Sequence, residues 1–167
     1  MTSFSKGLSP GLRTGVLAAP ADVIGKALAL RENTDVCPNT LTHAVMGELL
    51  HSGAYHRLLP RLCARYRTRR DALLAALERH LAGRARWTTA RGGFFTWVAL
   101  DAARDAEDLL RTAARSGVVF LPGSRFRRDE FLGDEKNRGE RAELRLSCAR
   151  LEPAEIEEGI GRLAGLL

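Results

Sequence analysis

A chain of 167 residues is long enough to bury one compact core. Hydrophobic residues at 45% and charged residues at 28% make an ordinary globular mixture, which excludes a fibrous or disordered chain. The net charge of +6 comes from dispersed arginines, without a basic arm interleaved with aromatics and without a helix-turn-helix pattern. The solvated face of a long helix therefore accounts for it better than a nucleic-acid surface. No apolar run approaches the ~20 residues of a membrane span, and no signal-peptide pattern opens the chain. A cytoplasmic protein is the expectation, with no membrane partner. Cys37, Cys63 and Cys148 lie far apart and form no C-x-x-C, so neither a zinc site nor a disulfide framework is expected.

Residues 2–5 read as the end of an extended segment. The apolar run Thr14 to Ala18, stopped by Pro20, predicts a strand of about five residues. Val23, Ile24, Ala27 and Leu28 recur at helical spacing over Ala21 to Leu30. A loop follows over Asn33 to Asn39. Thr40 is the expected cap of a second helix that ends at Ser52 and Gly53. A long amphipathic pattern then runs from Ala54 to Leu81, with Leu58, Leu62, Tyr66, Leu73, Leu77 and Leu81 on one stripe. Pro60 suits a first turn better than an interior, so this helix is expected to start near His56 or to kink there. A helix of ~25 residues spans about 38 Å, enough to bridge two domains.

After Gly83 the pattern changes. Arg84 to Thr88 and Phe94 to Leu100 read as strands around a Gly92-Gly93 turn. Asp105 to Ser116 is an amphipathic helix with Leu109, Leu110 and Ala113 inward, stopped by Gly117. Val118 to Leu121 reads as a strand running into Pro122-Gly123, and Phe126 to Glu140 as a polar surface loop. Leu144, Leu146 and Cys148 alternate with Arg145 and Ser147, which predicts a half-buried strand. Glu152-Pro153 opens the last helix, with Ile156, Ile160, Leu163 and Leu166 inward. Phe94, Phe95 and Trp97 read as core. His43, His51, His56 and His80 are dispersed on helices and read as surface residues.

The chemistry concentrates at the start of the chain, in Ser3-Phe4-Ser5-Lys6-Gly7-Leu8-Ser9-Pro10-Gly11-Leu12-Arg13-Thr14-Gly15. A lysine amine becomes a nucleophile when a nearby cation or partial desolvation lets its proton go. Ser3, Ser5 and Arg13 suit one phosphate: hydroxyls donate hydrogen bonds and a guanidinium grips two oxygens at once. A lysine beside a phosphate clamp is what an aldehyde cofactor carrying a phosphate requires. Arg145 sits on the half-buried strand, where a charge needs a partner. Glu143 or Glu140 is the local alternative to a ligand.

The N-terminal stretch resembles the cofactor-lysine motif of the class I/II, fold-type-I aminotransferases that use pyridoxal 5'-phosphate. The similarity is greatest to the aminoadipate/aromatic aminotransferase branch and its MocR-type regulator relatives. Further motifs follow in order. Tyr66-Arg67-Thr68-Arg69-Arg70-Asp71-Ala72-Leu73 is similar to the family's Y-x-x-R-R-D-x-L helix, and Gly92 to Trp97 to its G-G-F-F-x-W strand. The P-G-x-x-F segment lies within Val118 to Phe126. Leu144-Arg145-Leu146-Ser147 resembles its L-R-L-S strand, and Glu158-Gly159-Ile160 its closing E-G-I helix.

The resemblance implies an α/β to α+β fold. Residues 1–55 would be the remnant of the large cofactor-binding domain, and residues 56–167 a linking helix and small C-terminal domain. It implies that Lys6 is catalytic and that Ser3, Ser5, Lys6 and Arg13 bind pyridoxal 5'-phosphate. Arg145 would take the substrate α-carboxylate. Amino acid and 2-oxo acid substrates and a homodimeric full-length form are implied, with nucleic acid only where a DNA-binding domain lies upstream. The family's aspartate beneath the pyridine nitrogen, its residues near the cofactor oxygen and its ring-stacking aromatic precede the lysine motif. The chain therefore reads as the back part of a family member, incomplete and inactive alone. A truncated product, half of a split enzyme and a degenerate binding remnant are the three forms this could take. The alternative function is the effector part of a MocR-type transcription regulator that senses pyridoxal phosphate or an amino acid; a non-catalytic basic binding module is a third reading.

Overall fold

The computed structural model describes residues 1–101, 105–126 and 142–167, and the chain divides into two units, Met1–Cys63 and Ala64–Leu167. Mixed helix and sheet is what the sequence predicts, and each unit carries both.

In the first unit, β1 (Thr2–Ser3) pairs antiparallel with β2 (Gly15–Val16), with Thr2 opposite Val16 and Ser3 opposite Gly15. Strand β2 is shorter than the expected five residues; Leu17 and Ala18 continue without ladder pairing. Helix α1 (Ala21–Glu32) follows Pro20. Helix α2 (Thr40–His51) is capped by Asn39, whose side-chain oxygen accepts from the Thr42 N–H at 3.1 Å. The cap thus stands one residue before the expected Thr40, and asparagine is an equally good acceptor there. Only Phe4, Thr14 and Met46 are buried in this unit, whereas Leu28, Leu30, Val36, Leu41 and Val45 are exposed.

Helix α3 (Ala54–Leu81) starts after Gly53, whose φ of +69° is the left-handed turn that separates it from α2. It runs through Pro60 instead of beginning there. Pro60 and His56 are both exposed, so water reaches the His56 carbonyl that the proline leaves without its donor.

The second unit is a four-stranded antiparallel sheet with three helical packing partners. The strands are β3 (Ala85–Trp87), β4 (Phe95–Leu100), β5 (Leu121–Pro122) and β6 (Glu143–Ser147), in the order β3-β4-β6-β5. Pro122 cannot donate to a ladder and accordingly lies on the edge strand. One face of the sheet, with Val98, Leu100, Leu144 and Leu146, joins one core. Leu73, Leu77 and Leu81 of α3 share it, with Leu109 and Ala113 of α4 (Ala106–Arg115) and Ile156, Ile160 and Leu163 of α5 (Pro153–Ala164). Leu77, Leu81, Leu144 and Leu163 are fully buried, each contributing about 1.5–3 kcal/mol of apolar burial.

Two side-chain devices hold the helices in place. Asp105 caps α4, its carboxylate accepting from the Glu107 and Asp108 N–H groups. A buried Arg69 on α3 donates to the Ala149 carbonyl at 2.6 Å and to Glu152 Oε1 at 2.5 Å, while Arg65 reaches the same oxygen at 2.8 Å. Glu152 also closes a capping box with Glu155 at the start of α5. One carboxylate therefore pins the corner between β6 and α5 to the long helix. The loop expected after Phe126 falls mostly outside the described residues.

Candidate functional site

In the first unit, the ladder between β1 and β2 closes the base of a loop that carries the lysine motif. The Phe4 N–H donates to the Thr14 carbonyl at 3.0 Å, extending the closure by one residue pair. Ser3, Ser5 and Lys6 leave the base on one side, and Arg13 returns to it on the other. A segment spread over eleven positions is thus gathered by its own backbone hydrogen bonds.

Lys6 lies in a tight turn in which the Leu8 N–H donates to the Phe4 carbonyl at 2.8 Å. Phe4 is buried and meets Tyr55 edge to face, with centroids 5.5 Å apart at 82°; such a pair adds about 0.5–1.5 kcal/mol beyond its area. Tyr55 also supports the turn at Gly7, where no larger residue fits without movement. The hydroxyl of Ser3 accepts from the Ser5 N–H at 3.2 Å, which leaves its own proton to donate. A short 3₁₀ turn, Pro10–Leu12, is capped by Ser9 and ends at Arg13, whose φ of 48° and ψ of 35° are left-handed. A non-glycine residue in that region is uncommon and held there by its surroundings. Arg13 is exposed, and its Nη1 donates a long 3.4 Å bond to the Pro10 carbonyl.

The donor set fits a phosphorylated aldehyde. Two hydroxyls and a guanidinium carry hydrogen-bond donors for phosphate oxygens, and an exposed amine stands in the same loop. Ser3, Ser5, Lys6 and Arg13 are thus brought onto one loop.

In the second unit, the face of the sheet opposite the core carries Arg145. Trp97 and Leu121 stand opposite it on the neighbouring strands, and Phe95 stands opposite Ser147. Arg145 is half-buried, and among the described residues it forms no ion pair; its Nε has no hydrogen-bond partner. Glu140, one of the two local alternatives, lies outside the described residues. Its Cζ instead sits over two aromatic rings, 4.0 Å from the Phe95 centroid and 4.4 Å from that of Phe126. Phe126 packs edge to face on Trp97, centroids 5.7 Å apart. Gly123 permits this: a β-carbon there would lie 2.6 Å from the Glu143 Cβ and 3.0 Å from the Trp97 ring. The backbone crosses so close to β6 that only glycine fits.

Phe95 therefore corrects the expectation of a core residue. It is 42% exposed and belongs to the open face, whereas Thr96 and Val98 point inward. The alternation of β4 contains that information, but which parity is buried follows only from the pairing with β6. Cys148, just past the end of β6, is buried, and burial raises its thiol pKa, so it is not a poised nucleophile. No metal-binding group of His, Cys, Asp and Glu occurs among the described residues. Among them, no helix is long and apolar enough to cross a membrane.

The family model for aminotransferase class I and II matches residues 1–163. The chain belongs to that family. It is 33% identical over 162 residues to aromatic-amino-acid aminotransferase 1 of Thermococcus litoralis, covering 97% of this chain and 37% of that protein. It is 36% identical to the 2-aminoadipate transaminase of Thermus thermophilus, over 99% of this chain and 39% of the relative. The transcriptional regulator TauR of Rhodobacter capsulatus is 34% identical over 99% of this chain and 32% of its own length. Among solved structures, the kynurenine aminotransferase of Pyrococcus horikoshii, in complex with PMP, superposes with a TM-score of 0.88. That match has 31% identity and spans 98% of this chain and 39% of that one. The chain thus spans well under half the length of the relatives it matches.

Proposed function

We propose that these 167 residues are the lysine-bearing C-terminal part of a pyridoxal-phosphate aminotransferase that moves an amino group between an amino acid and a 2-oxo acid. The observation that carries the reading is the closed loop that gathers Lys6 with Ser3, Ser5 and Arg13. Pyridoxal 5'-phosphate, when bound, supplies an electron sink for negative charge at the substrate α-carbon. This chain's residues do the rest of the work assigned to it. Ser3, Ser5 and Arg13 would hold the cofactor's phosphate through their hydrogen-bond donors. Lys6 would hold the cofactor at its aldehyde carbon, and its amine, once displaced by the substrate amine, would be the base and acid that moves a proton at the substrate α-carbon. Arg145 grips the substrate α-carboxylate through paired N–H donors.

The remainder of the site, including the acid that keeps the pyridine nitrogen protonated, is assigned to sequence outside these residues. The exposed apolar side chains of the first unit, among them Leu28, Leu30 and Leu41, are the surface that sequence would cover. A homodimer is proposed for the full-length form. Residues 1–55 are proposed as the large-domain portion and residues 56–167 as the linking helix and small domain. A cytoplasmic location is proposed.

The test is reductive trapping with borohydride: the pyridoxyl adduct should map to Lys6. The similarity to TauR supports a second reading, in which the same site senses the cofactor or an amino acid in a regulator. A DNA-binding domain encoded upstream, with binding but no turnover in the full-length product, would favour it.

A further inference from the structure

We infer that Phe95 and Phe126 are positioning residues that hold the Arg145 guanidinium edge-on for a carboxylate. The inference rests on the reading of Arg145 as the carboxylate clamp. A guanidinium meets aromatic rings through its flat face and hydrogen-bonds through its edge. With Cζ at 4.0 and 4.4 Å from two ring centroids, the Arg145 guanidinium packs against two apolar rings that restrict its orientation. The Nε is buried without a partner, a cost no structural ion pair offsets among the described residues. Both rings are themselves half-exposed, Phe95 at 42% and Phe126 at 47%, which is more than a core role requires.

The placement has two independent supports. Phe95 is fixed by the β4–β6 register, in which it lies opposite Ser147, two residues from Arg145 on the same face. Phe126 is fixed by the close crossing at Gly123 and by its edge-to-face contact with Trp97. An unheld arginine loses rotamer freedom when it grips a ligand; a planar fork already set between packed neighbours loses less. The two phenylalanines thus lower the cost of carboxylate binding without touching the carboxylate.

The experiment uses the full 167-residue chain labelled with ¹⁵N-arginine, with pyruvate as the carboxylate probe. The Arg145 Nε–H signal, assigned by its loss in R145A, should be shifted by ring currents and should move saturably as pyruvate is added. F95L and F126L should each reduce the ring-current shift. Together they should weaken pyruvate binding about tenfold, the size of a partly desolvated cation–π contact. F95Y and F126Y keep the rings and should restore both. Loss of pyruvate binding in R145A with unchanged affinity in F95L/F126L overturns the positioning role alone. A wild-type Arg145 signal that pyruvate does not move, or affinity unchanged in R145A, overturns the clamp itself and the inference with it.

Discussion

A β-carbon added at Gly7 would lie 2.5 Å from the Tyr55 hydroxyl oxygen. The turn that carries Lys6 therefore rests on the start of α3, and the ring of Tyr55 defines how close the loop can come. Gly7→Ala should loosen the turn, and removing the Tyr55 hydroxyl as well should recover part of the loss. In a double-mutant cycle with Tyr55→Phe, the coupling should be of order 0.5–3 kcal/mol, the range for residues in contact. Additive effects would mean that the two do not share the contact.

Arg145→Ala should weaken amino acid binding by about 2–5 kcal/mol in a complete enzyme, as truncating one side of a buried charge pair does. Cofactor affinity should hardly change. Equal substrate affinity in the variant would remove Arg145 from the site.

Stability of the second unit should depend on pH through three carboxylates. Hydrogen bonds and charge hold Glu107 below the usual range beside Arg125, Glu152 beside Arg65 and then Arg69, and Glu157 beside His80 and then Arg79. With folded pKa values depressed, the unfolded chain binds more protons in the acid range. The contribution is present above the ordinary carboxylate pKa and is lost as pH falls through the folded values. Melting temperature against pH should fall in acid, and the fall should flatten in E107Q/E152Q/E157Q. An unchanged acid slope would show the pairs to be silent.

Arg69→Ala should cost about 1–3 kcal/mol, the range for removing a hydrogen-bonding partner from a buried group, because the Ala149 carbonyl loses its donor. Chemical denaturation measures it. A change within error would mean that Arg65 alone holds the corner.

The long helix was legible because its apolar stripe repeats locally over many turns, and it continues through Pro60 for a reason the pattern does not hold, the exposure of His56 and Pro60. The lysine motif was legible as well, since its residues lie within one loop. The surroundings of Arg145 were not. Phe95 and Phe126 come from segments far away in sequence, and only strand register and the glycine crossing bring them to it. The short lengths of β2 and β5 were missed for a related reason: apolar runs mark extended chain, while ladders need a partner at the right register.

The 167 residues alone should not sustain transamination, because the relatives they match are more than twice as long and the reacting geometry tolerates only small displacements. A turnover assay with added pyridoxal phosphate should show no steady rate. Turnover that vanishes in Lys6→Ala would show that this segment holds a complete site.

Lys6 is proposed as the cofactor lysine, with Ser3, Ser5 and Arg13 binding the phosphate. The sequence has three lysines, Lys6, Lys26 and Lys136, so the site of modification is readily mapped. The decisive measurement is mass-spectrometric mapping of the borohydride-reduced adduct formed with substoichiometric pyridoxal phosphate, beside phosphate-free pyridoxal. Modification should be concentrated on Lys6, with that preference lost for pyridoxal and in Arg13→Ala. Adducts spread evenly over the three lysines, or concentrated on Lys26 or Lys136, would contradict the proposal.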